Sequence, residues 1–343
     1  MEIKVGNRII SKSHKPLIVS EIGINHFGSL EIAKKIVDKI KKAGGEAVKV
    51  QIHIPDAEMS EEAKKIKPGN SNLNIYEIIK KNSLSLDNEL KLKKYIEMKK
   101  LIYIATPFSF KAAKWLNDQK VKIIKIGSGE CNNHPLIEYV SKFKKPMIIS
   151  TGMNSTSSVN STYKIIKKNK ISHAFLHCVN LYPTNFKLVR LGRIKKFQNK
   201  FKNSIIGYSD HTEGTDIAKA AIVMGAKIIE KHFTFNKKNS GPDISCSMDD
   251  KELKDLINFT DKVHLAFQKK DEILREENVT RNFAFHSVVS LKNIKKGEKF
   301  NYENLTVKRP GIGFFPANKL RLLIGKKSKK NIQKNRLIKK TDV

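Results

Sequence analysis

The sequence has little of what marks secreted, membrane-spanning or disulfide-stabilised proteins. Its three cysteines, Cys131, Cys178 and Cys246, are scattered and form no CxxC pair, which argues against a disulfide framework and predicts a reducing compartment. The N-terminal stretch MEIKVGNRIISKSHKP lacks the apolar region of a signal peptide. No apolar run approaches the roughly 18 residues of a membrane span. We therefore expect a cytoplasmic protein with no membrane partner.

Arginine is also scarce, which bears on the meaning of the charge. The 343 residues carry a formal net charge of +34, a balance that often indicates nucleic-acid binding. Only eight of the 67 basic residues are arginine, the residue that bidentate recognition of phosphates and bases favours. Lysines occur as pairs on predicted helices, such as Lys34-Lys35 and Lys41-Lys42. We interpret them as solvated helix faces and expect no nucleic-acid partner, although their field would attract anionic substrates.

Runs rich in Ile and Val alternate with helical patterns along the chain. Eight such runs predict strands at 17–21, 47–51, 102–106, 123–126, 146–150, 174–178, 205–209 and 227–232. Helical spacing occurs at 30–43, at 87–100 with Asp87 as the predicted N-cap, and at 111–116, 135–143, 155–168 and 214–224. Eight alternations over about 250 residues predict a (β/α)8 TIM barrel. A doubly wound sheet is the alternative, but EIGINHFGS supplies no GxGxxG after the first strand.

Every predicted strand ends in polar side chains. These are Glu21; Lys49 and Gln51; Thr106; Lys125, Ser128 and Glu130; Ser150; His177 and Asn180; Ser209 and His211; and Glu230 and His232. Charged side chains inside a barrel are costly to bury unless they bind something. Active sites of TIM barrels lie at the C-terminal ends of the strands. The pattern therefore predicts an enzyme.

Two groups among these residues suggest a chemistry. His211 and His232 end neighbouring strands and predict a divalent-metal pair whose other positions are open to water or substrate; hydrogen-bonded structural histidines are the alternative. Lys49 and Lys125, together with serines, predict a cradle for a ligand with a phosphate and a carboxylate. A Schiff-base lysine is the alternative for either lysine.

The carboxylates form a third group of candidates. Glu21 and Glu130 end the first and fourth predicted strands, where one could transfer protons and the other could bind sugar hydroxyls. His53, His177 and Asp243 are weaker candidates. His177 lies in an apolar strand, where a packed histidine is the simpler interpretation.

Ten segments together resemble the N-acetylneuraminate (sialic acid) synthase family, nearly from end to end. They are EIGINHFGS (21–29), KVQIHI (49–54), ATPFS (105–109), KIGSGECNN (125–133), ISTGMNS (149–155), LHCVNLYPT (176–184), GYSDHT (207–212), EKHFT (230–234), GPD (241–243) and KRPGIG (308–313). Departures are small, such as Phe27 where relatives often have Glu or Asn, and none removes a matched site residue.

The resemblance implies a reaction and the residues that carry it out. Phosphoenolpyruvate would condense with the open-chain aldehyde of N-acetylmannosamine to give N-acetylneuraminate and phosphate by C–O cleavage. The implied metal is Mn²⁺, with Mg²⁺ or Co²⁺ as alternatives, on His211 and His232. The implied phosphoenolpyruvate residues are Lys49, Thr106, Lys125, Ser128, Ser150, Asn180 and Ser209. The implied amino-sugar residues are Glu21, Gln51, Asn70, Tyr182, Asp243 and Arg309. Glu130, with Glu21 and Lys49, would be catalytic.

The C-terminal part of the chain changes character. We predict a catalytic domain over residues 1–270, a polar linker over 271–285, and a small, mainly β domain over 286–343. The family resemblance implies that this last part is an antifreeze-like (SAF) domain. It would cross over in a homodimer, cover the partner's barrel and bring Arg309 to the partner's sugar. Without the resemblance, Arg309 would be an exposed turn cation.

Alternatives to this function remain open at the level of sequence. A legionaminic or pseudaminic acid synthase would use the same chemistry on a different amino sugar. A phosphorylated sugar is a further alternative, although no additional arginine cluster is present for a second phosphate. From another class, the chain could be a non-catalytic sugar-binding or nucleic-acid-binding protein. Lys49, Lys125 and Glu130, which match site residues of the family, are all present in this sequence and argue against that class.

Overall fold

The computed structural model describes residues 1–67, 73–268 and 272–343. The chain divides into two compact units, Met1–Gln268 and Lys269–Val343. Since Asn70 lies outside the described residues, its predicted contact with the sugar remains a prediction. None of the helices in the described parts is long and apolar enough to cross a membrane.

The first unit is a closed barrel of eight parallel strands, which confirms the predicted fold. A short antiparallel hairpin comes first, formed by β1 (Ile3–Val5) and β2 (Arg8–Ile10). The barrel strands are β3 (Leu17–Glu21), β4 (Ala47–Ile52), β5 (Ile102–Pro107), β6 (Ile124–Ile126), β7 (Met147–Ser150), β8 (His173–Cys178), β9 (Ile205–Asp210) and β10 (Ile228–His232). They follow one another in chain order, and β10 closes the barrel by pairing with β3.

Helices surround the barrel. They are α1 (Leu30–Lys42), α2 (Pro55–Glu58), α3 (Ile75–Asn82), α4 (Leu86–Met98), α5 (Phe110–Asp118), α6 (His134–Ser141), α7 (Thr156–Lys168), α8 (Gly192–Lys200), α9 (Asp216–Val223) and α10 (Asp250–Ala266). Sequence periodicity did not predict α2, α3 or α8. Side-chain caps fix several of the starts: Ser29 for α1, Ser109 for α5, Ser155 for α7 and Asp249 for α10.

The predicted N-cap of α4 was wrong. Ser85 is the N-cap, since its backbone is extended and its hydroxyl accepts a hydrogen bond from the Asn88 N–H at 3.3 Å. Asp87 instead lies within the first turn. A carboxylate is favourable there because the N-terminal end of a helix carries partial positive charge.

Alternation along the strands separates the barrel interior from the layer under the helices. On β4, for example, Ala47 belongs to the interior apolar cluster, whereas Val48 and Val50 pack in the cluster beneath the helices. The interior cluster contains the first inward residues of the strands together with Ile3, Val5 and Ile10 of the hairpin. Apolar side chains therefore fill the N-terminal half of the interior, and the polar strand ends lie in the other half.

A buried ion pair lies on the outward side of β9 and β10. Lys231 and Asp210 are both fully buried, and Lys231 Nζ lies 2.9 Å from Asp210 Oδ2. Lys231 Nζ also donates to the Thr212 carbonyl at 2.6 Å, and Asp210 Oδ1 accepts from the Thr212 N–H and hydroxyl. Because side chains alternate across a strand, His211 and His232, one residue further along, turn to the opposite face.

The second unit has its own small core. It contains 3-10 turns at Arg275–Glu277, Ala317–Leu322 and Lys340–Asp342, helix α11 (Asn278–Ala284), and an antiparallel pair of β11 (Ser287–Ser290) and β12 (Leu305–Lys308). Val288, Phe300, Leu305 and Leu323 form part of a separate apolar cluster. Helical turns thus occupy part of the polar segment predicted as a linker, and the predicted domain boundaries remain predictions.

Candidate active site

A central cavity of about 160 Å³ lies at the C-terminal ends of the barrel strands. It brings together most of the predicted site residues: Lys49, Gln51, Thr106, Lys125, Ser128, Glu130, Ser150, Asn180, Tyr182, Ser209, His211 and His232. Phe108, Cys178 and Glu230 complete its polar and aromatic lining. The residues come from the ends of seven different strands. The inward positions of these strands are apolar near the N-terminal end and polar near the C-terminal end, so the polar side chains meet in one cavity.

Two buried lysines and a buried glutamate set the electrostatics of this cavity. Lys49 Nζ and Lys125 Nζ each lie 3.5 Å from Glu230 Oε1, and Lys49 also lies 2.7 Å from Glu21 Oε2. Burial acts to lower the pKa of Lys49, but Glu21 and Glu230 outweigh it and hold the pKa above its ordinary value. Burial lowers the pKa of Lys125 below its ordinary value. The nearby Lys49 charge acts in the same direction, and the Glu230 carboxylate acts to raise the pKa.

Glu230 itself is held as an anion. Burial alone would raise its pKa, but Lys125 and Lys49 together lower it. Its Oε1 also accepts a hydrogen bond from the Ser209 hydroxyl at 3.2 Å, whereas Oε2 is buried without a hydrogen-bond partner among the described residues. Sequence reasoning included Glu230 among the polar strand ends but gave it no role. The sequence did contain a signal for a role: Glu230 occupies an inward position on the predicted strand next to the one that carries Ser209.

Hydroxyl and amide groups surround the lysines and form what we call the anion cradle, defined as Lys49, Thr106, Lys125, Ser128, Ser150, Asn180 and Ser209. Lys125 Nζ donates to Ser150 Oγ at 2.7 Å, and Lys49 Nζ to Thr106 Oγ1 at 3.4 Å. Gly152 N–H donates to Ser128 Oγ at 3.1 Å. A Cβ at position 152 would overlap Asn180 Oδ1 and lie 2.9 Å from Ser128 Oγ. Only glycine therefore allows this close approach.

The two histidines lie side by side, with ring centroids 5.5 Å apart. His211 Nδ1 is 2.7 Å from the Val179 carbonyl oxygen, so this nitrogen carries a hydrogen and Nε2 is the one available to a metal ion. His232 Nδ1 is buried with no hydrogen-bond partner among the described residues, and it lies 3.5 Å from Asp243 Oδ2. Burial lowers the pKa of His232 to about 4, which keeps the ring neutral.

This arrangement fits a divalent metal that is bound by few protein ligands. Two imidazoles, one oriented by a backbone carbonyl and one with an unpartnered buried nitrogen, are typical metal donors. Within the described ranges, no group of three or more His, Cys, Asp and Glu side chains could hold a metal ion. A metal on His211 and His232 would therefore keep coordination positions open for water or substrate.

Gln51 and Glu130 line the central cavity, whereas Glu21 is not among the residues that line it. Glu21 contacts the cavity wall through Gln51, whose Nε2 donates to Glu21 Oε1 at 2.9 Å. Burial raises the pKa of Glu130, and its Oε2 has no hydrogen-bond partner among the described residues. A raised pKa suits a carboxyl group that exchanges a proton with a reacting group in the cavity.

A second cavity of about 370 Å³, which we call the apolar cavity, adjoins the first. It shares four lining residues with the central cavity: Gln51, Phe108, Tyr182 and His232. The rest of its lining includes Ile24, His53, Glu58, Met59, Ile75, Ile78, Ile79 and Pro242. Asp243 also lines it, and burial raises the pKa of this carboxyl to about 6. The Tyr182 ring lies 4.1 Å from the His211 ring.

The remaining candidates lie elsewhere or have structural roles. Arg309 belongs to the second unit, where its Nε donates to the Ala284 carbonyl at 3.1 Å. His177 is fully buried and contacts the Val189 carbonyl oxygen at 2.7 Å, as expected of a packed histidine. All three cysteines are buried and free, and Cys178, which lines the central cavity 3.7 Å from His211 Nδ1, had no sequence signal.

Comparisons with known proteins agree with this geometry. A model described as the NeuB family matches residues 36–272, and a model of the SAF domain matches residues 285–343. The chain is 34% identical to the N,N'-diacetyllegionaminic acid synthase of Campylobacter jejuni, over 94% of this chain and 99% of that one. It is 31% identical to the human N-acetylneuraminate-9-phosphate synthase, over 93% and 90%. A solved sialic acid synthetase structure from Leptospira borgpetersenii superimposes with a TM-score of 0.75 at 30% identity, covering 82% of this chain and 95% of that one.

Proposed function

Because the chain belongs to the NeuB family of phosphoenolpyruvate-dependent sugar-acid synthases and contains a SAF domain, we propose that it condenses phosphoenolpyruvate with N-acetylmannosamine. The products are N-acetylneuraminate and phosphate. The observation that carries the proposal is the pair of buried lysines, Lys49 and Lys125, on the inward faces of β4 and β6 within the anion cradle. Two cations flanked by hydroxyls suit a ligand that has both a phosphate and a carboxylate.

The reaction forms one C–C bond and one C–O bond, the latter from water, and breaks the C–O bond between C2 and the phosphate. C3 of phosphoenolpyruvate attacks the aldehyde carbon of the open-chain sugar, water adds at C2, and the tetrahedral intermediate loses phosphate with its bridging oxygen. The anion cradle holds phosphoenolpyruvate and excludes bulk water. Glu130, whose pKa is raised by burial, gives a proton to the aldehyde oxygen as that oxygen gains charge.

Side chains at the rim orient the amino sugar. Glu21 and Gln51, which hydrogen-bond each other at 2.9 Å, and Tyr182 contact the sugar hydroxyls. Asp243, which lines the apolar cavity, also contacts them. The apolar cavity takes the methyl group of the acetamido substituent, since its wall of isoleucines and Phe108 suits an apolar group.

His211 and His232 hold a divalent metal, which we propose to be Mn²⁺, with Mg²⁺ or Co²⁺ as alternatives. When bound, such an ion polarises a carbonyl oxygen as a Lewis acid. The Val179 carbonyl fixes the tautomer of His211, so that Nε2 is the nitrogen left free for the ion.

We further propose a cytoplasmic homodimer in which the SAF domain of each chain covers the partner's barrel. The support is the family membership together with the three free thiols, which suit a reducing compartment. In this arrangement, Arg309 reaches the acetamido group of the sugar bound by the partner.

A second candidate is the same condensation on a different amino sugar. The similarity to a legionaminic acid synthase supports a 6-deoxy diacetamido acceptor. Such a sugar would bring two further methyl groups to the apolar cavity, whose wall is rich in isoleucine. Pseudaminic precursors share this chemistry.

Phosphate release from phosphoenolpyruvate tests the proposal. The enzyme with Mn²⁺ would be assayed with N-acetylmannosamine, with its 6-phosphate, and with the two diacetamido precursors. We expect turnover with N-acetylmannosamine, loss of turnover in His211→Ala, and loss on chelation of the metal. If only a diacetamido sugar is turned over, that sugar is the acceptor and the proposed condensation chemistry is retained. Absence of phosphate from every sugar, with folded and metal-loaded protein, would refute the proposed reaction.

A further inference from the structure

A chain of hydrogen bonds runs from the anion cradle to the wall of the apolar cavity. It begins at Glu21, which contacts Lys49 through one oxygen and accepts from Gln51 Nε2 through the other. Gln51 Oε1 lies 3.0 Å from His53 Nε2, and His53 Nδ1 lies 2.9 Å from Glu58 Oε1. His53 and Glu58 have no part in the reaction proposed above.

Counting donors and acceptors determines where the hydrogens lie. The Glu21 carboxylate only accepts, so the amide NH₂ of Gln51 faces it and the amide oxygen faces His53. His53 Nε2 must then donate. Glu58 Oε1 faces the other ring nitrogen and holds the ring from that side.

The surroundings hold this pair rigidly. The side chains of His53 and Glu58 are only 6% and 5% exposed, and the His53 ring stacks on Phe108 with centroids 4.3 Å apart. Glu58 is the last residue of α2, and its Oε2 is buried without a hydrogen-bond partner among the described residues. Hydrogen bonds are stronger in such a shielded place than in water.

We propose that His53, held in place by Glu58, is a positioning residue for the acceptor sugar. Its Nε2–H fixes the Gln51 amide so that the NH₂ end stays on Glu21, which holds Gln51 in one orientation in the wall of both cavities. Without this hydrogen bond, Gln51 is free to turn, and its amide oxygen then faces the Glu21 carboxylate, which costs a hydrogen bond. This inference rests on the proposed function, because that function makes Glu21 and Gln51 the sugar contacts.

Nuclear magnetic resonance of ¹⁵N-histidine-labelled full-length protein tests the position of the ring hydrogen without any substrate. We expect one ring that carries a hydrogen on Nε2, and we expect its signals to disappear in His53→Phe. A His53 ring without a hydrogen on Nε2 would overturn the inference. This readout is independent of the reaction, so it decides the point even if no sugar is turned over and the proposed function fails.

Kinetics test the positioning role. His53→Phe keeps the stacking on Phe108 and should raise the Michaelis constant for the sugar by up to roughly tenfold, the loss expected for one hydrogen bond, with that for phosphoenolpyruvate within about twofold. His53→Gln supplies an amide donor to Gln51, so it should recover most of the loss.

His173→Gln is the matched control. His173 is buried, packs edge-on against Phe175 and hydrogen-bonds Ser204 Oγ at 2.8 Å, near the N-terminal end of β8 and away from the cavity. It should lower thermal stability while leaving both Michaelis constants unchanged. Equal changes in both constants for the His53 variants, or no rescue by glutamine, would show that His53 is only structural.

Discussion

Glu89 shows how burial changes a single residue that has no part in the site. It lies on α4 with 3% of its surface exposed, and its Oε2 has no hydrogen-bond partner among the described residues. Burial raises the pKa of its carboxyl to about 8, so the folded protein prefers the protonated form. Because the folded state then binds more protons than the unfolded state, stability is full at low pH. It falls as pH rises from about 4.5 to about 8.

We expect Glu89→Gln to remove this pH dependence. The amide is neutral at every pH, so the variant should be more stable than the wild type at pH 9 by about 1–3 kcal/mol and similar to it at pH 5. Urea unfolding at both pH values measures this. Glu97→Gln, on the exposed side of the same helix, is the control and should change little at either pH. Equal effects of Glu89→Gln at both pH values would contradict the raised pKa.

At the scale of elements, the polar network between β9 and β10 connects the strand ends that carry the two histidines. Lys231 and Asp210 are fully buried between the barrel and its helices. Breaking such a pair leaves one charge buried and uncompensated, whereas removing both charges together is less harmful. The pair therefore matters more through the penalty of losing one partner than through its own net stabilisation.

Lys231→Met should destabilise the protein by about 3–5 kcal/mol, because Asp210 then remains buried without its cation. Adding Asp210→Asn should recover part of that loss. Urea denaturation of the two single variants and the double variant gives the coupling energy. Lys114→Met removes a partner from the exposed Lys114–Asp118 pair on α5 and should leave unfolding unchanged within error. Additive losses in the double variant would mean that the pair is not coupled.

At the scale of the whole molecule, the two units have separate apolar cores and separate family matches. We proposed that Arg309 of one chain serves the barrel of another. The structure describes Arg309 as a residue of the second unit with a backbone hydrogen bond to Ala284. A role in trans requires a dimer, and complementation between two defective chains can detect it.

Arg309→Ala and His211→Ala should each be poorly active alone and should complement each other when co-expressed. In a mixed dimer, one site combines an intact barrel with an intact Arg309, so a one-to-one mixture should reach roughly a quarter of wild-type activity for a symmetric dimer. Purification through two different tags isolates the mixed dimer. Activity equal to the mean of the two parents would show that Arg309 acts on its own barrel or not at all.

The sequence by itself determined the barrel and most of the residues around its cavity. Strand side chains alternate with a period of two, so Lys49 and Gln51, or Ser209 and His211, had to share the inward face once each run was recognised as a strand. Polar residues at the ends of eight apolar runs then indicated one common site. The sugar itself came only from the family resemblance.

The tertiary structure decided the pairings between these residues. Closure of the barrel brings β10 beside β3, so Glu230 meets Lys49 although the two are far apart in the chain. The helix α2 turns Glu58 back onto His53, and Lys231 finds Asp210 on the outward side. Such contacts depend on side-chain directions across long-range neighbours, which hydrophobic periodicity does not encode. The alternation pattern shows which face of the sheet a side chain occupies, whereas only the packed structure shows which residue that side chain contacts.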